Sequence, residues 1–504
     1  MRIKHTINNV SFSMLNMFIS IILNFSYRTV LIKTVGIDYL GLTSFYTNIL
    51  VILSLAELGI GHAITYSLYK PLAEKNYDKV LSILNYFRDV YIRVGFFILL
   101  IGVLISPFIS FFIDGYEHLE NIYVIFFLFV VNTSITYFYS YKRILINADQ
   151  KAYKIVPITL LFLLIDLSIR MLLLIELNNL VLALCWQLVS KVLENYFVNR
   201  YIDKNYNILN NKHKRLAEND KQNIKSNVKA LIYHKLGDAF VNGTDNIIIS
   251  KFLGLTIVGM YSNYLLVVSV ISSFLMLVFN SMTASVGNLI VQSNTDKVKE
   301  VFHISNMIAF WVFGLCSICL YFTLPLFIDL WLGENFLLPP SVNLLICINL
   351  FFFGMRVPLG VFKTSSGIFN QDKYAPIIQG VLNIILSVVL VDFYGVAGII
   401  FATIVSGLIV PGVIRPYLVY KIVFKDNVVK YFIDFAKKIT ILIFASCIVF
   451  FAMSKITLSM DSELIMLIFK SVILFSIVNV VFVFCFFRTT EFKQFSAMLR
   501  RKLL

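Results

Sequence analysis

Long apolar runs alternate with short polar connections along the whole chain, and this pattern predicts a bundle of membrane-spanning helices. An α-helix needs about 20 apolar residues to cross about 30 Å of hydrocarbon, and the runs have that length. We predict fourteen spans, near residues 11–33, 41–66, 90–113, 119–141, 155–176, 180–200, 229–252, 257–288, 303–328, 341–362, 374–393, 396–418, 435–455 and 463–487. Two of the polar connections, residues 70–90 and 291–303, are predicted to form short amphipathic helices outside the membrane.

Composition supports the same fold class. Of 504 residues, 59% are hydrophobic and 14% are charged, with a mean hydropathy of +0.83. A water-soluble globule cannot hide that much apolar surface, so we expect an all-α polytopic membrane protein. The six cysteines fall in apolar runs. Cys316 and Cys319 have the spacing of a CxxC motif, but the sequence around them has no His or second Cys pair, which a metal site would need.

The charge distribution predicts the orientation. The formal net charge is +15, and the Lys and Arg residues concentrate in the connections that follow even-numbered spans and in the tail. By the positive-inside rule, these connections and both termini lie in the cytoplasm. Nucleic-acid binding is a poor alternative, because the basic residues are spread over loops instead of being gathered in one domain.

One polar stretch occurs twice, and it indicates an internal duplication. Residues 33–41 (KTVGIDYLG) and 251–259 (KFLGLTIVG) are separated by a shift of 251 − 33 = 218 residues. The same shift pairs identical residues elsewhere, including Asn24 with Asn242, Ser44 with Ser262, Tyr46 with Tyr264, Asn76 with Asn294, and Lys79 with Lys297. A shift of 221 residues pairs Lys142 with Lys363. Chance similarity between apolar, Asn- and Lys-rich segments is the alternative.

The duplication predicts the domain organisation. Six spans per half is an even number, so the halves share one orientation and are related by an axis along the membrane normal. We predict a six-helix lobe at 1–200, a basic cytoplasmic linker at 201–228, a second six-helix lobe at 229–420, and two additional helices with a basic tail at 421–504.

Polar faces recur at corresponding places in spans 1 and 7. In span 1 the polar residues at the three-to-four spacing of one helix face are Asn16, Ser20, Asn24, Tyr27 and Arg28. In span 7 they are His234, Asp238, Asn242 and Asp245, with Lys235 beside them. An ionisable group in hydrocarbon costs about 2.5–3.5 kcal/mol on insertion scales, so it normally faces a partner or a wet cavity. We therefore predict a polar cavity, with plain interhelical hydrogen bonding as the alternative.

Other polar residues inside the spans have simpler interpretations. Asp166 and Arg170 stand four residues apart and are expected to neutralise each other. Lys191 and Glu194 are expected to pair or to reach the interface. Arg356 precedes a proline by two residues, and both a functional and a structural role stay open. A gate is predicted at the inner end of span 2, at Glu57, Gly59 and Gly61.

The segments 56–61 (AELGIG) and 69–73 (YKPLA), with two six-helix halves and two extra spans, resemble bacterial polysaccharide transporters. These are the Wzx-type lipid-linked oligosaccharide flippases of the multidrug/oligosaccharidyl-lipid/polysaccharide exporter superfamily. The resemblance implies a multi-pass protein of the bacterial cytoplasmic membrane that works by alternating access. It further implies a cationic central cavity for the pyrophosphate and sugars, while the polyprenyl tail stays in membrane lipid. A polysaccharide polymerase and chain-length machinery are the expected partners.

The candidate residues fit such a cargo chemically. Arg28, Lys235 and Arg356 are candidates for phosphate contact, because fixed positive charges with several donors suit that group. The candidates for sugar hydroxyls are Asn16, Ser20, Asn24, Tyr27 and Asn242. The candidates for a coupling Na⁺ or H⁺ are Asp238, Asp245 and His234. No cofactor is expected, and the absence of a GxxxxGK[ST] motif argues against ATP as the direct energy source.

Three alternatives stay open. A cation-coupled multidrug exporter would keep the fold but favour an acidic, aromatic cavity, and a peptidoglycan-precursor (lipid II) flippase would share most features. A membrane-embedded polymerase or glycosyltransferase would need a large outer loop with catalytic groups, whereas the longest outer connection here, 329–341, is short. We therefore expect a transporter and not an enzyme.

Overall fold

The protein is a bundle of helices. The computed structural model describes residues 2–54, 60–206, 216–218, 220–222, 236–237, 239–241, 243–368, 370–455 and 462–503. Its α-helices are α1 Arg2–Val35, α2 Ile37–Leu53, α3 Ile60–Ala73, α4 Tyr77–Ile105, α5 Ile122–Ala148, α6 Val156–Leu177, α7 Leu180–Asn205, α8 Asp245–Leu253, α9 Leu255–Ser281, α10 Thr283–Gln292, α11 Thr295–Leu332, α12 Pro340–Met355, α13 Val357–Ser365, α14 Ala375–Tyr394, α15 Val396–Ile409, α16 Pro411–Leu418, α17 Val429–Lys455, α18 Glu463–Phe486 and α19 Thr490–Leu503.

Helix length and hydropathy confirm a polytopic membrane protein. Within the described residues, twelve helical segments are long and apolar enough to cross a membrane, and they match predicted spans 1, 3–6 and 8–14. The shorter apolar helix α2 covers the first part of predicted span 2, and α8 covers the end of predicted span 7. The short predicted connections are also present, since Asn178 and Asn179 join α6 to α7 and Gly395 joins α14 to α15.

The chain divides into two compact units, Met1–Gly259 and Met260–Leu504. The division falls directly after the second copy of the repeated stretch, so α8 belongs to the first unit. The predicted lobe and linker boundaries are a separate, sequence-based division and stay a prediction. In the first unit, α4 packs on α5, α5 on α7, α7 on α6 and α6 on α1.

The second unit repeats part of this packing order. Helix α11 packs on α12, α12 on α15 and α15 on α14, as α4, α5, α7 and α6 do in the first unit. Of the two additional helices, α17 packs on α18, and α18 joins this unit through an aromatic cluster. Phe310 and Phe351 from α11 and α12 lie against Phe482 and Phe486 from α18 in that cluster.

The prediction of separate amphipathic helices at 70–90 and 291–303 is wrong. Most of the polar residues there belong to the first turns of the long helices α4 and α11. Each helix begins at an asparagine cap: the Asn76 side chain accepts from the Lys79 N–H, and the Asn294 side chain from the Lys297 N–H, both at 3.0 Å. With its first turn capped and no proline between the cap and the start of the apolar run, each helix continues without interruption into that run.

These caps also support the duplication, because both pairs are related by the 218-residue shift. Two further pairs of equivalents are comparable, since both tyrosine hydroxyls bond to a backbone group, one as donor and one as acceptor. The Tyr46 hydroxyl donates to the Ile122 carbonyl at 2.8 Å, and the equivalent Tyr264 hydroxyl accepts from the Leu338 N–H at 3.1 Å. Gly36 and Gly254 both adopt positive φ, 98° and 85°, at the helix junction inside the repeated stretch. Matching local structures at matching positions favour the duplication over chance similarity.

The two copies of the repeated stretch also contact each other, in what we term the repeat clasp: residues 37–41 and 255–259. The Thr256 hydroxyl donates to the carboxylate of its own equivalent, Asp38. A Cβ on Gly41 would collide with the Leu255 carbonyl, and one on Gly259 would lie 2.6 Å from the Ile37 carbonyl. The clasp therefore requires glycine on both sides.

We predict that Gly41→Ala or Gly259→Ala lowers the free energy of unfolding by about 1–3 kcal/mol, because the new methyl group has no room. Thermal unfolding of the purified protein in detergent measures this effect. The matched control is Gly360→Ala in α13, where a Cβ meets no atom within 4 Å. Since alanine favours helix by up to about 1 kcal/mol, the control should be neutral or stabilising. Equal stability of Gly41→Ala and the control would contradict the clasp.

Candidate functional site

A polar cavity of about 260 Å³ lies within the first unit. Five helices provide its wall: α1, α2, α5, α6 and α7. The lining residues are Asn24, Tyr27, Arg28, Leu31, Leu40, Thr43, Ser44, Thr47, Phe129, Arg170, Leu184 and Gln187. We term this the arginine cavity, after the two charged residues in that lining.

Helical spacing explains how α1 and α2 line one cavity. On α1, Asn24, Tyr27, Arg28 and Leu31 stand three to four residues apart and share one face. On α2, the residues at 40, 43, 44 and 47 repeat the same spacing, with hydroxyl side chains at the last three positions. The predicted polar face of span 1 is therefore met by a polar face of its neighbour in sequence.

Arg170 is held in place by three neighbours. One guanidinium nitrogen, Nη2, donates to Asp166 Oδ2 at 2.7 Å, and Nη1 donates to Gln187 Oε1 at 3.4 Å. The guanidinium carbon lies 4.5 Å from the centre of the Tyr27 ring, a cation–π geometry. The Arg170 and Asp166 side chains are only 10% and 13% exposed, so the predicted pair exists and is largely buried.

Both charged residues in the described lining of this cavity are arginines. They are Arg28 and Arg170, and Arg170 is paired with the Asp166 carboxylate. Guanidinium is planar, permanently charged and rich in N–H donors, which makes it well suited to carboxylate or phosphate oxygens in a partly desolvated space.

The other predicted residues of span 1 continue the same face. Asn16 and Ser20 are half-buried on α1, two turns and one turn before Asn24, and they are not part of the described cavity lining. The Asn24 side-chain amide donates to the Ser20 carbonyl at 2.7 Å. The structure therefore brings Asn24, Tyr27 and Arg28 together in the cavity lining. Asn16 and Ser20, the first two residues of the predicted polar face, lie outside that lining.

Several predicted site residues lie outside the described part of the chain. These are Glu57, Gly59, His234, Lys235, Asp238 and Asn242. Of the predicted gate, the structure describes Gly61, which is the second residue of α3 and whose carbonyl accepts from the Thr65 hydroxyl at 2.9 Å. Asp245 is the first residue of α8, and its Oδ1 atom is buried without a hydrogen bond from the described residues.

Arg356 lies in the second unit, at the junction of α12 and α13. Its Nε donates to the Phe352 carbonyl at 3.2 Å, and its Nη1 donates to the Gly407 carbonyl of α15 at 3.1 Å. These bonds tie together two helices at a proline-containing break, which is a structural role. Its predicted phosphate contact stays a prediction.

Sequence analysis misses part of the cavity. It assigns Arg170 only to a neutral pair with Asp166, and it does not include Gln187 or the polar face of α2. The spacing of Thr43, Ser44 and Thr47 is visible in the sequence and is the signal that could have indicated α2.

The second predicted ion pair of the first unit is confirmed. Lys191 lies 3.0 Å from Glu194, and Arg143 is a third member of the group at 2.7 Å from the same carboxylate. This group is separate from the lining of the arginine cavity.

Comparison with known proteins gives a result at the level of the fold. No family model and no curated protein matches the sequence. Solved structures do match. "Lipid II flippase MurJ, inward closed conformation" is 15% identical, covers 95% of this chain and 100% of its own, and has a TM-score of 0.63. An inward-facing multidrug resistance MATE family transporter of the MOP superfamily is 12% identical over 77% of this chain and 92% of its own, with a TM-score of 0.62.

The MATE multidrug transporter DinF-BH, solved in complex with a ligand, is 16% identical over 82% of this chain and 95% of its own, with a TM-score of 0.60. The fold is similar to that of these three solved structures. At these identities the likeness concerns the fold alone, and the substrate has to be argued from the side chains of the site.

We predict that Asp166→Ala lowers the free energy of unfolding by about 3–5 kcal/mol, because it leaves Arg170 buried without its carboxylate. The double variant Asp166→Leu with Arg170→Met removes both charges and should lose much less. Thermal unfolding of both proteins in detergent measures the difference. If the double variant were as unstable as the single one, the ion pair would not be what holds Arg170.

Proposed function

We propose that this protein is a flippase that moves polyprenyl-diphosphate-linked oligosaccharide repeat units from the inner to the outer leaflet of the bacterial cytoplasmic membrane. Alternating access would carry the head group across, for the assembly of capsule, O-antigen or exopolysaccharide. The observation that carries the proposal is the arginine cavity, with Arg28 and Arg170 in one polar space within a membrane-spanning unit. In this proposal the protein acts as a transporter and not as an enzyme.

The phosphate groups are the part of this cargo that most needs the protein. A diphosphate loses its hydration when it leaves water, and polar or charged groups of the protein must replace that hydration. Two guanidinium groups supply charge-assisted hydrogen bonds, each stronger than a neutral one. Because Asp166 and Gln187 already hold Arg170, little side-chain entropy is lost when it binds phosphate.

The remaining cavity wall suits sugar hydroxyls. Its polar side chains offer donors and acceptors from two adjacent helices, and they are Asn24, Thr43, Ser44 and Thr47. Its apolar side chains supply surface for the C–H faces of a sugar, and they are Leu31, Leu40, Phe129 and Leu184. Such a mixed wall also agrees with a cargo that combines charged, polar and apolar parts.

The other candidate residues complete the proposed transport cycle. Lys235 and Arg356 are proposed as further phosphate contacts, and Asn16, Ser20 and Asn242 as sugar contacts. Asp238, Asp245 and His234 are proposed to bind a coupling Na⁺ or H⁺. Glu57, Gly59 and Gly61 are proposed to form the inner gate. Both termini would lie in the cytoplasm, with membrane lipid, a polysaccharide polymerase and chain-length machinery as partners.

A lipid II flippase is the second candidate, because the MurJ structure matches 95% of this chain and 100% of its own length. Its cargo also carries a diphosphate, so the arginine cavity does not separate the two. Restored growth of a strain depleted of its lipid II flippase would favour this candidate. Multidrug export fits less well, since the charged residues of the described cavity lining are arginines, which do not attract cationic drugs.

We predict that Arg28→Gln weakens binding of undecaprenyl diphosphate to the purified protein by about 10- to 100-fold. Hydrogen bonds to charged groups are worth about 1.5–3 kcal/mol, and about 1.4 kcal/mol corresponds to a tenfold change. Arg28→Lys keeps the charge but not the two-pronged donor geometry, so its affinity should lie between those of the original protein and Arg28→Gln. Isothermal titration in detergent measures all three affinities.

The control for this experiment is Arg93→Gln. Arg93 is exposed on α4 and donates to the Asp89 carbonyl at 3.0 Å, so its loss should leave binding unchanged. Unchanged affinity of Arg28→Gln would remove the phosphate assignment, whereas equal losses in both variants would indicate a non-specific charge effect.

A further inference from the structure

A second polar pocket lies at the end of the first unit where α1 meets α2. Its volume is about 200 Å³, and the ends of α1, α2, α5, α6 and α7 enclose it. The polar members of its wall are Thr34, Tyr39, Glu120, Asn121, Asn178 and Asn179. We term it the end pocket. None of the residues in its wall is among the predicted site residues.

We propose that the end pocket binds one neutral sugar unit and is the sugar subsite that accompanies the arginine cavity. The inference rests on the proposed function for its link to transport. It adds a contact for an uncharged, polyhydroxylated ring beyond the sugar contacts proposed for the wall of the arginine cavity.

The chemistry of the wall matches that ligand. The Tyr39 hydroxyl accepts a hydrogen bond from the Glu120 N–H at 3.2 Å, so its own proton is available to a ligand. The Asn179 side-chain oxygen accepts from the Leu182 N–H at 3.0 Å, which leaves its NH₂ group as a donor. The amides of Asn121 and Asn178 each bring both a donor and an acceptor. Sugar hydroxyls also donate and accept, and they are recognised by such mixed sets.

Charge excludes the other polar parts of the proposed cargo. The described wall of this pocket contains no Lys or Arg, so phosphate has no counter-charge there. The Glu120 carboxylate would repel a phosphate or an acidic sugar. A neutral sugar avoids this penalty and can donate hydroxyl hydrogen bonds to the carboxylate, which are stronger than bonds to a neutral acceptor.

The volume of the pocket matches a single ring. A volume of 200 Å³ equals the share of about six or seven water molecules, at ~30 Å³ each, which is the scale of one sugar ring. Val35, Ile125, Leu180 and Val181 give the pocket apolar wall against which the C–H face of a ring can lie. An oligosaccharide or a polyprenyl chain would not fit inside it.

The end pocket and the arginine cavity are lined by different residues of the same helices. On α1, Thr34 follows Arg28 by six residues, which is about 9 Å at 1.5 Å per residue. On α7, Leu180 lines the end pocket and Leu184, one turn further, lines the cavity. In the proposed cargo the first sugar is joined directly to the diphosphate, so two neighbouring subsites of different charge match its order of groups.

Saturation-transfer difference NMR on the full-length protein in detergent tests the proposal. The probes are glucose, galactose, N-acetylglucosamine and, as a charged counterpart, glucuronic acid. We expect millimolar binding of at least one neutral sugar and none of glucuronic acid. Asn178→Asp keeps a residue that tolerates the left-handed backbone at this position but replaces two donors by a charge. Val181→Phe fills the pocket without removing a polar group. Each should reduce the signal several-fold.

Two controls separate the outcomes. Asn205→Asp changes an exposed asparagine at the other end of α7 and should leave the signal unchanged. Arg28→Gln should also leave sugar binding unchanged while it weakens diphosphate binding. No binding of any neutral sugar, or full binding by both pocket variants, would overturn the proposal. If sugar binding is lost only in the pocket variants while Arg28→Gln has no effect on diphosphate binding, the end pocket stands and the proposed phosphate site fails.

Discussion

The energetic cost of placing arginine inside a membrane-spanning unit is the constraint on which the candidate site depends. A charged side chain at that depth costs about 2.5–3.5 kcal/mol on insertion scales unless the protein compensates for it. For Arg170 the compensation is visible: a carboxylate one helical turn away, a glutamine from α7 and the ring of Tyr27 from α1. Three helices are thus fixed around one guanidinium group, and the polar cavity forms where they meet.

The duplication explains much of the remaining architecture. Asparagine caps, tyrosine hydrogen bonds and positive-φ glycines recur at positions related by 218 residues. Where the two copies of the repeated stretch meet, Asp38 bonds to its own equivalent, Thr256. Equivalent glycines allow the close approach there. The repeated stretch therefore has two functions, as a helix junction and as a contact surface for its other copy.

The fold was largely predictable from the sequence, because hydrophobic runs of membrane-spanning length leave the backbone no alternative to helix. The site was predictable only in part. Asn24, Tyr27 and Arg28 follow from the spacing on one helix, which the sequence shows directly. The contribution of Arg170 depends on how α6 packs against α1 and α7, which spacing within one helix cannot show. Similarly, the polar residues at 70–90 suggest a separate helix, whereas residues 77–90 are the first turns of α4, which begins at the Asn76 cap.

The most direct test of transport measures where the cargo lies. Cells depleted of this protein are compared with complemented cells for the amount and membrane sidedness of polyprenyl-diphosphate oligosaccharides. The proposed function predicts that complete repeat units accumulate on the cytoplasmic face, and that Arg28→Gln fails to clear them while Arg93→Gln does. Normal amounts that already face outward in depleted cells would contradict it.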